Sequence, residues 1–436
     1  MLKLTVLIPS LNEADNLRVL LPRLVHSLEY IVPASWEVIV VDGGSADATV
    51  AVAQEHGARV VHQSSPGFGG AMRSGIEEAK GDFVLTMDAD LSHEPNFVHK
   101  LWANRGRADI VIASRYVRGG AAYMPWTRKV LSRTLNFAFS RGLSLRVADL
   151  SSGFRLYRAE VLRSLPLEGT NFEILEEVLI RAHIGGWQIA EIPFTYFPRT
   201  RGSSHARIVK FGMDLLRTFV KMWRLRNSIE AADYDERAFY SPIPPQRYWQ
   251  RRRHKIITTM ARASGLVLDI GCGSSIMLQS FNRVVGLDVS LSKMRYMRRY
   301  GVPVVSGSTF ALPFATGVAD CVISSEVAEH VPMEPELFLE LDRVLKPGGL
   351  LIFGTPDYGT WIWPAIEWVY GRVMPGGYAH EHISHYTAAG IDRILAAMGY
   401  QPIERRTILR GELIVAARKG AGRADRTRVQ AALARP

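Results

Sequence analysis

Two aspartates one residue apart, Asp88 and Asp90, close the apolar run GDFVLTMDADLSHEP. Residues two apart in an extended chain point to the same side, so both carboxylates can converge on one object. Hard oxygen ligands of this kind suit Mg²⁺ or Mn²⁺ bridged to phosphates, a cation that needs only one or two protein carboxylates. Asp is also common where a strand turns, and Asp-Ala-Asp taken alone fits a plain turn about as often. It is not alone, because Glu13 in LIPSLNE and Asp42 in VVDGGSADAT close two other apolar runs. Several carboxylates along one sheet edge would repel one another unless a cation, or ligand hydroxyls and amines, lay between them. A second constellation sits in LVLDIGCGSS, where a strand runs into a Gly-rich turn and Asp288 ends the following strand. That spacing approximates the one at which an acidic residue meets ribose hydroxyls, although the third glycine is replaced by Ile276.

The elements that must position these groups are readable from periodicity. KLTVLIPS, EVIVVDGG, ARVVHQ, GDFVLTMDAD and ADIVIASR are near-continuously apolar, with helical stretches such as NEADNLRVLLPRLVHSL between them. That pattern predicts a largely parallel α/β sheet buried on both faces, whose ligands gather at the carboxyl ends of the strands. Residues 229–246 mix charge, aromatics and prolines and are expected to be an irregular linker. Strand–helix alternation restarts in a second α/β domain over 247–418, and 419–436 is expected to be disordered.

The chain has 436 residues, more than one comfortable core, and a net charge of +11 that favours phosphate-bearing partners. Its two cysteines, Cys272 and Cys321, imply neither a disulfide framework nor a zinc site, and a reduced, cytoplasmic setting fits them. The N-terminus does not look like a signal peptide, and no window approaches the ~18 apolar residues of a membrane span. Residues Arg207, Lys210, Asp214, Arg217, Lys221 and Arg224 form one polar stripe in an otherwise apolar helix. Such a helix suits the inner face of a membrane, with basic residues towards headgroups, or a packed position with one solvated edge. No nucleic-acid module motif appears, so nucleic acid is not an expected partner.

Residues 1–228 resemble the family-2 glycosyltransferases of the GT-A fold, most of all the dolichol- and polyprenol-phosphate mannosyltransferases. IPSLNEADNL, VVDGGSADAT, GFGGAMRSGIEEAKGD, MDADLSHEP, SRYVRGG, DLSSGFRLY and PRTRGSSH carry the likeness. The resemblance implies a GDP- or UDP-linked sugar donor, with Pro9, Glu13 and Asp42 holding base and ribose. Asp88, Ala89 and Asp90 would lie against the diphosphate, with Mg²⁺ or Mn²⁺ on the two aspartates. Ser92 stands where relatives often carry a further, Gln, metal contact. The acceptor would be a polyprenyl phosphate, positioned by Arg115, Arg199, Arg201 and His205, the last replacing the usual Lys. A glycan hydroxyl is the alternative acceptor. Glu173 and Glu177 could orient donor or acceptor, or simply cap and face solvent, the latter being the simpler reading for Glu177; Arg155 could equally be structural.

Residues 247–418 resemble the class I S-adenosylmethionine-dependent methyltransferases, a Rossmann-like fold, in LVLDIGCGSS, VSGSTFALPFATGVADCVISSEVAEHV and LDRVLKPGGLLIFGTP. The resemblance implies that Asp269, Gly271 and Gly273 face the methionine end, Asp288 the ribose and Ser308 the adenine. Glu326 and His330 would lie near the substrate. His330 and His382 are candidate bases, and His380, Glu381, His382 and His385 could be an acid–base cluster or a metal site. Lone histidines in such loops are more often structural or solvated, and without a helical H-x-x-x-H spacing no metal is assigned to them. The expected whole is a bifunctional transferase; the alternative is a second domain that binds cofactor or partners without catalysing.

Overall fold

The computed structural model describes residues 2–197, 208–262, 265–373 and 382–434. Chain contacts divide it into two units, Met1–Arg226 and Asn227–Pro436.

In the first unit, seven strands form one sheet: β1 Leu4–Ser10, β2 Trp36–Asp42, β3 Arg59–His62, β4 Phe83–Thr86, β5 Ile110–Ser114, β6 Arg155–Arg158 and β7 Ile189–Pro193. Their order is β3-β2-β1-β4-β6-β5-β7, parallel except for β6, which runs antiparallel to both neighbours. The apolar runs read from sequence are these strands: Leu4, Val6, Leu7 and Ile8 of β1 are all fully buried. Helix Ala14–Ile31 lays Leu17, Leu20, Leu21, Leu24 and Leu28 on one stripe against that core. Strand order reverses between β1 and β4, the point in an open α/β sheet beyond whose strand ends ligands are generally bound.

The second unit repeats the scheme with β8 Val267–Ile270, β9 Val284–Asp288, β10 Val304–Ser306, β11 Ala319–Ser325, β12 Leu345–Pro356, β13 Tyr400–Ile408 and β14 Glu412–Lys419. The order is β10-β9-β8-β11-β12-β14-β13, with β14 antiparallel to β12 and β13. The reversal now lies between β8 and β11. These two α/β layouts are the GT-A and Rossmann-like folds expected.

Two expectations are corrected. The stretch read as an irregular linker folds into helices Tyr234–Phe239 and Pro244–Met260. Pro244 and Pro245 sit in the first turn, where a missing N–H costs nothing, so the prolines start a helix rather than break one. Ile256 and Ile257 enter the core, and Arg253 clamps buried Glu412 at 2.6 and 2.7 Å. The tail is not disordered throughout either. Helix Arg426–Leu433 is capped by Asp425, which accepts the Arg428 N–H at 2.9 Å, and it buries Val429 completely.

The basic helix spans Ile208–Arg226. Phe219 meets Phe139 edge-on at 5.0 Å, Met222 is fully buried, and Arg226 donates to the Leu143 carbonyl at 2.9 Å. Leu216, Val220 and Trp223 remain exposed on another face. Among the described residues no helix is long and apolar enough to cross a membrane.

Deleting residues 420–436 should lower the stability of the second unit by about 2 kcal/mol or more, because Val429 and its neighbours leave the core. Urea unfolding of the full and shortened chains measures this; equal midpoints would mean the helix contributes nothing.

Candidate active sites

Strand register sets the first site. Ser10 pairs with Asp42 across β1 and β2, and Leu7 pairs with Thr86 across β1 and β4, so the loops after three strands open side by side. Pro9 lies opposite Val41 in the same ladder. Met87 extends the pairing by donating to the Leu7 carbonyl at 3.2 Å, and Asp88 and Asp90 follow at once. Asp88 is half-buried, while Ala89 and Asp90 are buried. Leu91 then takes a left-handed φ of 63°, which turns the chain sharply. Ser92 donates its N–H to Asp90 Oδ1 at 3.1 Å, yet its own buried Oγ has no hydrogen-bond partner.

A residue not singled out from sequence holds Asp88 in place. His93 Nδ1 accepts the Asp88 N–H at 2.9 Å, and its ring stacks on Phe154 at 4.7 Å. Full burial pushes its pKa down against the pull of Asp88, so the ring stays neutral with its proton on Nε2, 3.7 Å from Asp88 Oδ2. Nothing in sequence marks it beyond its position after the carboxylate pair.

Asp42 works differently. Burial would raise its pKa, but the Ser45 hydroxyl and the Ser45 and Gly44 amides outweigh that and hold it down as a carboxylate. Glu13 heads helix Ala14–Ile31; its N–H donates to Thr49 Oγ1 at 2.8 Å, and its Oε2 accepts from Asn16.

Arg115 is held in place from within the fold. Its guanidinium forms a fork on Asp149, Nε to Oδ2 at 2.7 Å and Nη2 to Oδ1 at 2.6 Å, with Ser151 Oγ at 2.8 Å. Asp149 is wholly buried. Arg199, Arg201 and His205 lie outside the described residues. Glu173 caps the turn before helix Ile174–Ile184 by accepting the Thr170 and Asn171 amides. Glu177 pairs with Arg181 at 2.7 Å, and buried Arg155 donates to the Leu175 carbonyl at 2.7 Å.

The second site is a cavity of about 420 Å³ in the second unit, and Asp269, Gly271, Gly273, Asp288, Ser308 and Glu326 all line it, as does His330. Gly271 has φ 73°, and a Cβ there would come within 2.2 Å of Val327 Cγ2, so only glycine fits. Asp288 braces the turn, with Oδ2 accepting the Gly273 N–H at 2.8 Å. Asp269 is buried with Oδ2 unpartnered, and burial, together with Asp288 and Asp235, pushes its pKa up to about 7. Asp235 and Lys293 were missed by sequence reasoning. Asp235 comes from the misread linker, accepts the Ser274 N–H at 2.8 Å and pairs with Lys293 at 3.3 Å. Glu326 meets Arg253 at 2.8 Å. His382 is buried, whereas His380 and Glu381 fall outside the described residues; His385 stacks on Tyr358 at 4.0 Å.

With both sites in place, similarity can be weighed. The chain is 33% identical over 246 residues to the polyprenol monophosphomannose synthase of Mycolicibacterium smegmatis, covering 52% of this chain and 89% of that protein. The glycosyl transferase family 2 model matches residues 5–165. The chain belongs to glycosyltransferase family 2. It is also 36% identical over 212 residues to the dolichol-phosphate mannosyltransferase of Pyrococcus furiosus, but spans only 59% of that relative's length. Residues 268–353 match a methyltransferase domain model, so this family-2 chain carries a methyltransferase domain after its transferase domain, as the sequence resemblance implied. Among solved structures, glucosyl-3-phosphoglycerate synthase of Mycobacterium tuberculosis is 22% identical, with a TM-score of 0.40, covering 50% of this chain and 79% of that one.

Replacing His93 by Phe should keep the stack on Phe154 but strand the Asp88 N–H, at a cost of about 1–3 kcal/mol. Denaturant unfolding reads this directly; an unchanged midpoint would remove His93 from the support of the site.

Proposed function

We propose that this family-2 glycosyltransferase moves a sugar from a GDP- or UDP-linked donor to a polyprenyl phosphate with the help of Mg²⁺ or Mn²⁺, and that its second domain methylates from S-adenosylmethionine. The observation that carries the first half is the turn after β4: two carboxylates one residue apart, followed by a buried hydroxyl on Ser92 with no partner. That donor set is hard oxygen throughout and fits a divalent cation on a diphosphate. The metal would supply Lewis acidity to the departing nucleoside diphosphate. Asp88 and Asp90 would hold it, with His93 fixing the backbone at Asp88 and Ser92 Oγ adjoining. Asp42, kept ionised by its amide donors, would accept from the donor's base or ribose together with Glu13 and Pro9. A lipid phosphate is already an anion and needs positioning rather than a base. Arg115, steadied by Asp149, would share that task with Arg199, Arg201 and His205. Names of relatives that act on dolichol or polyprenol phosphates support this acceptor. The exposed Leu216, Val220 and Trp223 beside Arg217, Lys221 and Arg224 support a peripheral position on the cytoplasmic face of a membrane, where such an acceptor resides.

For the second half, the glycine turn, Asp288 and the partnerless Asp269 Oδ2 fit a zwitterionic, ribose-bearing cofactor. Asp269 would accept from the methionine ammonium.

Asp88→Asn and Asp90→Asn should each cut sugar transfer about 100-fold or more, the loss of several kcal/mol of charge stabilisation, while the melting curve stays put. Full activity in both would remove the metal assignment. The affinity for S-adenosylmethionine should depend on pH with a defined sign. The free site holds a proton on Asp269 up to about pH 7, and the complex favours the carboxylate. Affinity therefore rises as pH climbs towards that value, by up to about tenfold per unit, and levels off above it. Calorimetric titration across pH checks this, and Asp269→Asn should weaken binding and flatten the profile.

A further inference from the structure

Among the described residues, Glu329, His330 and His382 bring their donor atoms within 4.8 Å of one another. Glu329 is wholly buried, and its Oε1 has no hydrogen-bond partner; Oε2 reaches Thr355 Oγ1 at 3.4 Å. The two imidazoles meet edge to face at 4.8 Å. His330 belongs to the wall of the 420 Å³ cavity, on the same stretch as Glu326 and Val327, so the cluster adjoins the space assigned to the methyl donor.

His382 is fixed from behind. Its Nδ1 lies 2.6 Å from Glu367 Oε1 and 2.8 Å from the Tyr358 hydroxyl, and the Trp363 ring stacks on it at 5.9 Å. With the Nδ1 proton given to that carboxylate, the lone pair sits on Nε2, the arrangement by which a carboxylate orients a metal-binding imidazole. A lone general base would explain one histidine. It leaves unexplained a second imidazole held by its own carboxylate and a buried glutamate with a partnerless oxygen. Arg253 pairs with Glu326 and with Glu412.

We propose that Glu329, His330 and His382 form a divalent transition-metal site at the acceptor end of the methyl-donor cavity, where the cation holds a sugar hydroxyl for methylation. Two imidazoles and a carboxylate suit Mn²⁺, Fe²⁺, Co²⁺ or Zn²⁺ better than Mg²⁺ or Ca²⁺. Three protein ligands leave open positions, which two adjacent hydroxyls of a sugar can fill as a chelate. In the transfer, the sulfonium S–CH₃ bond breaks and an O–CH₃ bond forms. The hydroxyl proton leaves to water, made more acidic by the cation, and the products are a methyl ether and S-adenosylhomocysteine. This catalytic role rests on the methyl-transfer reading above; metal binding itself does not.

The test uses the full chain carrying Asp88→Asn and Asp90→Asn, so that the first unit does not report, titrated with Mn²⁺ and followed by electron paramagnetic resonance. The expected result is one bound Mn²⁺ per chain with nitrogen couplings from imidazole. His382→Ala, and separately the shape-conserving Glu329→Gln, should weaken it by about tenfold or more without changing S-adenosylmethionine affinity. Absence of bound Mn²⁺ in a chain that still binds S-adenosylmethionine would overturn the site, as would equal Mn²⁺ affinity in both variants. Nitrogen-coupled Mn²⁺ in a chain that does not bind S-adenosylmethionine would uphold the site and remove the methyl-transfer reading instead.

Discussion

A carboxylate taken out of water must meet a positive partner or give up its charge, and both units of this chain are arranged around that constraint. Some of its buried acids are matched from within. Asp149 has the Arg115 fork, Glu177 has Arg181, and Asp42 has the amides of Gly44 and Ser45. Other buried oxygens are not: Asp269 Oδ2, Glu329 Oε1 and the Ser92 hydroxyl beside Asp90 have no protein partner. The matched acids hold the fold together, and these three partnerless oxygens are the ones the proposed ligands would meet.

The scaffold explains why those oxygens sit where they do. In each sheet the strand order reverses beside the first strand, and helices diverge on either side of it, so the carboxyl ends there face an open crevice. Asp88 and Asp90 follow β4, Asp269 is in β8, and Glu329 follows β11. Backbone geometry then aims them. Leu91 and Glu326 are non-glycine residues held at positive φ, and Gly271 admits Val327 where any side chain would collide. Such strain persists only where surrounding structure imposes it.

Much of this was legible in the sequence because strands buried on both faces are written as unbroken apolar runs. The acids that end those runs are visible for the same reason, which made Asp42, Asp88, Asp90, Asp269 and Asp288 readable. What escaped depends on pairings between distant segments. Arg115 finds its partner 34 residues away, and no local pattern announces Asp149. Trp249 and Arg253 meet Glu412 across 163 and 159 residues, so the first turn of the helix they anchor read as the end of a linker. The metal cluster hid similarly: Glu329 and His330 are adjacent, but His382 joins them only through tertiary structure, and its orienting Glu367 lies on yet another helix. The short tail helix was masked by its charge, with Val429 its one fully buried side chain.

If the oxygens beyond β4 hold a metal-bound diphosphate whose sugar goes to a lipid phosphate, the product can be weighed. Mass spectrometry of the purified chain, incubated with nucleotide-sugars and a short polyprenyl phosphate with and without Mg²⁺, should find a glycosylated lipid phosphate from one donor, formed only while the divalent cation is present. Equal product after chelation, or no consumption of any donor with Mg²⁺ present, would rule that chemistry out.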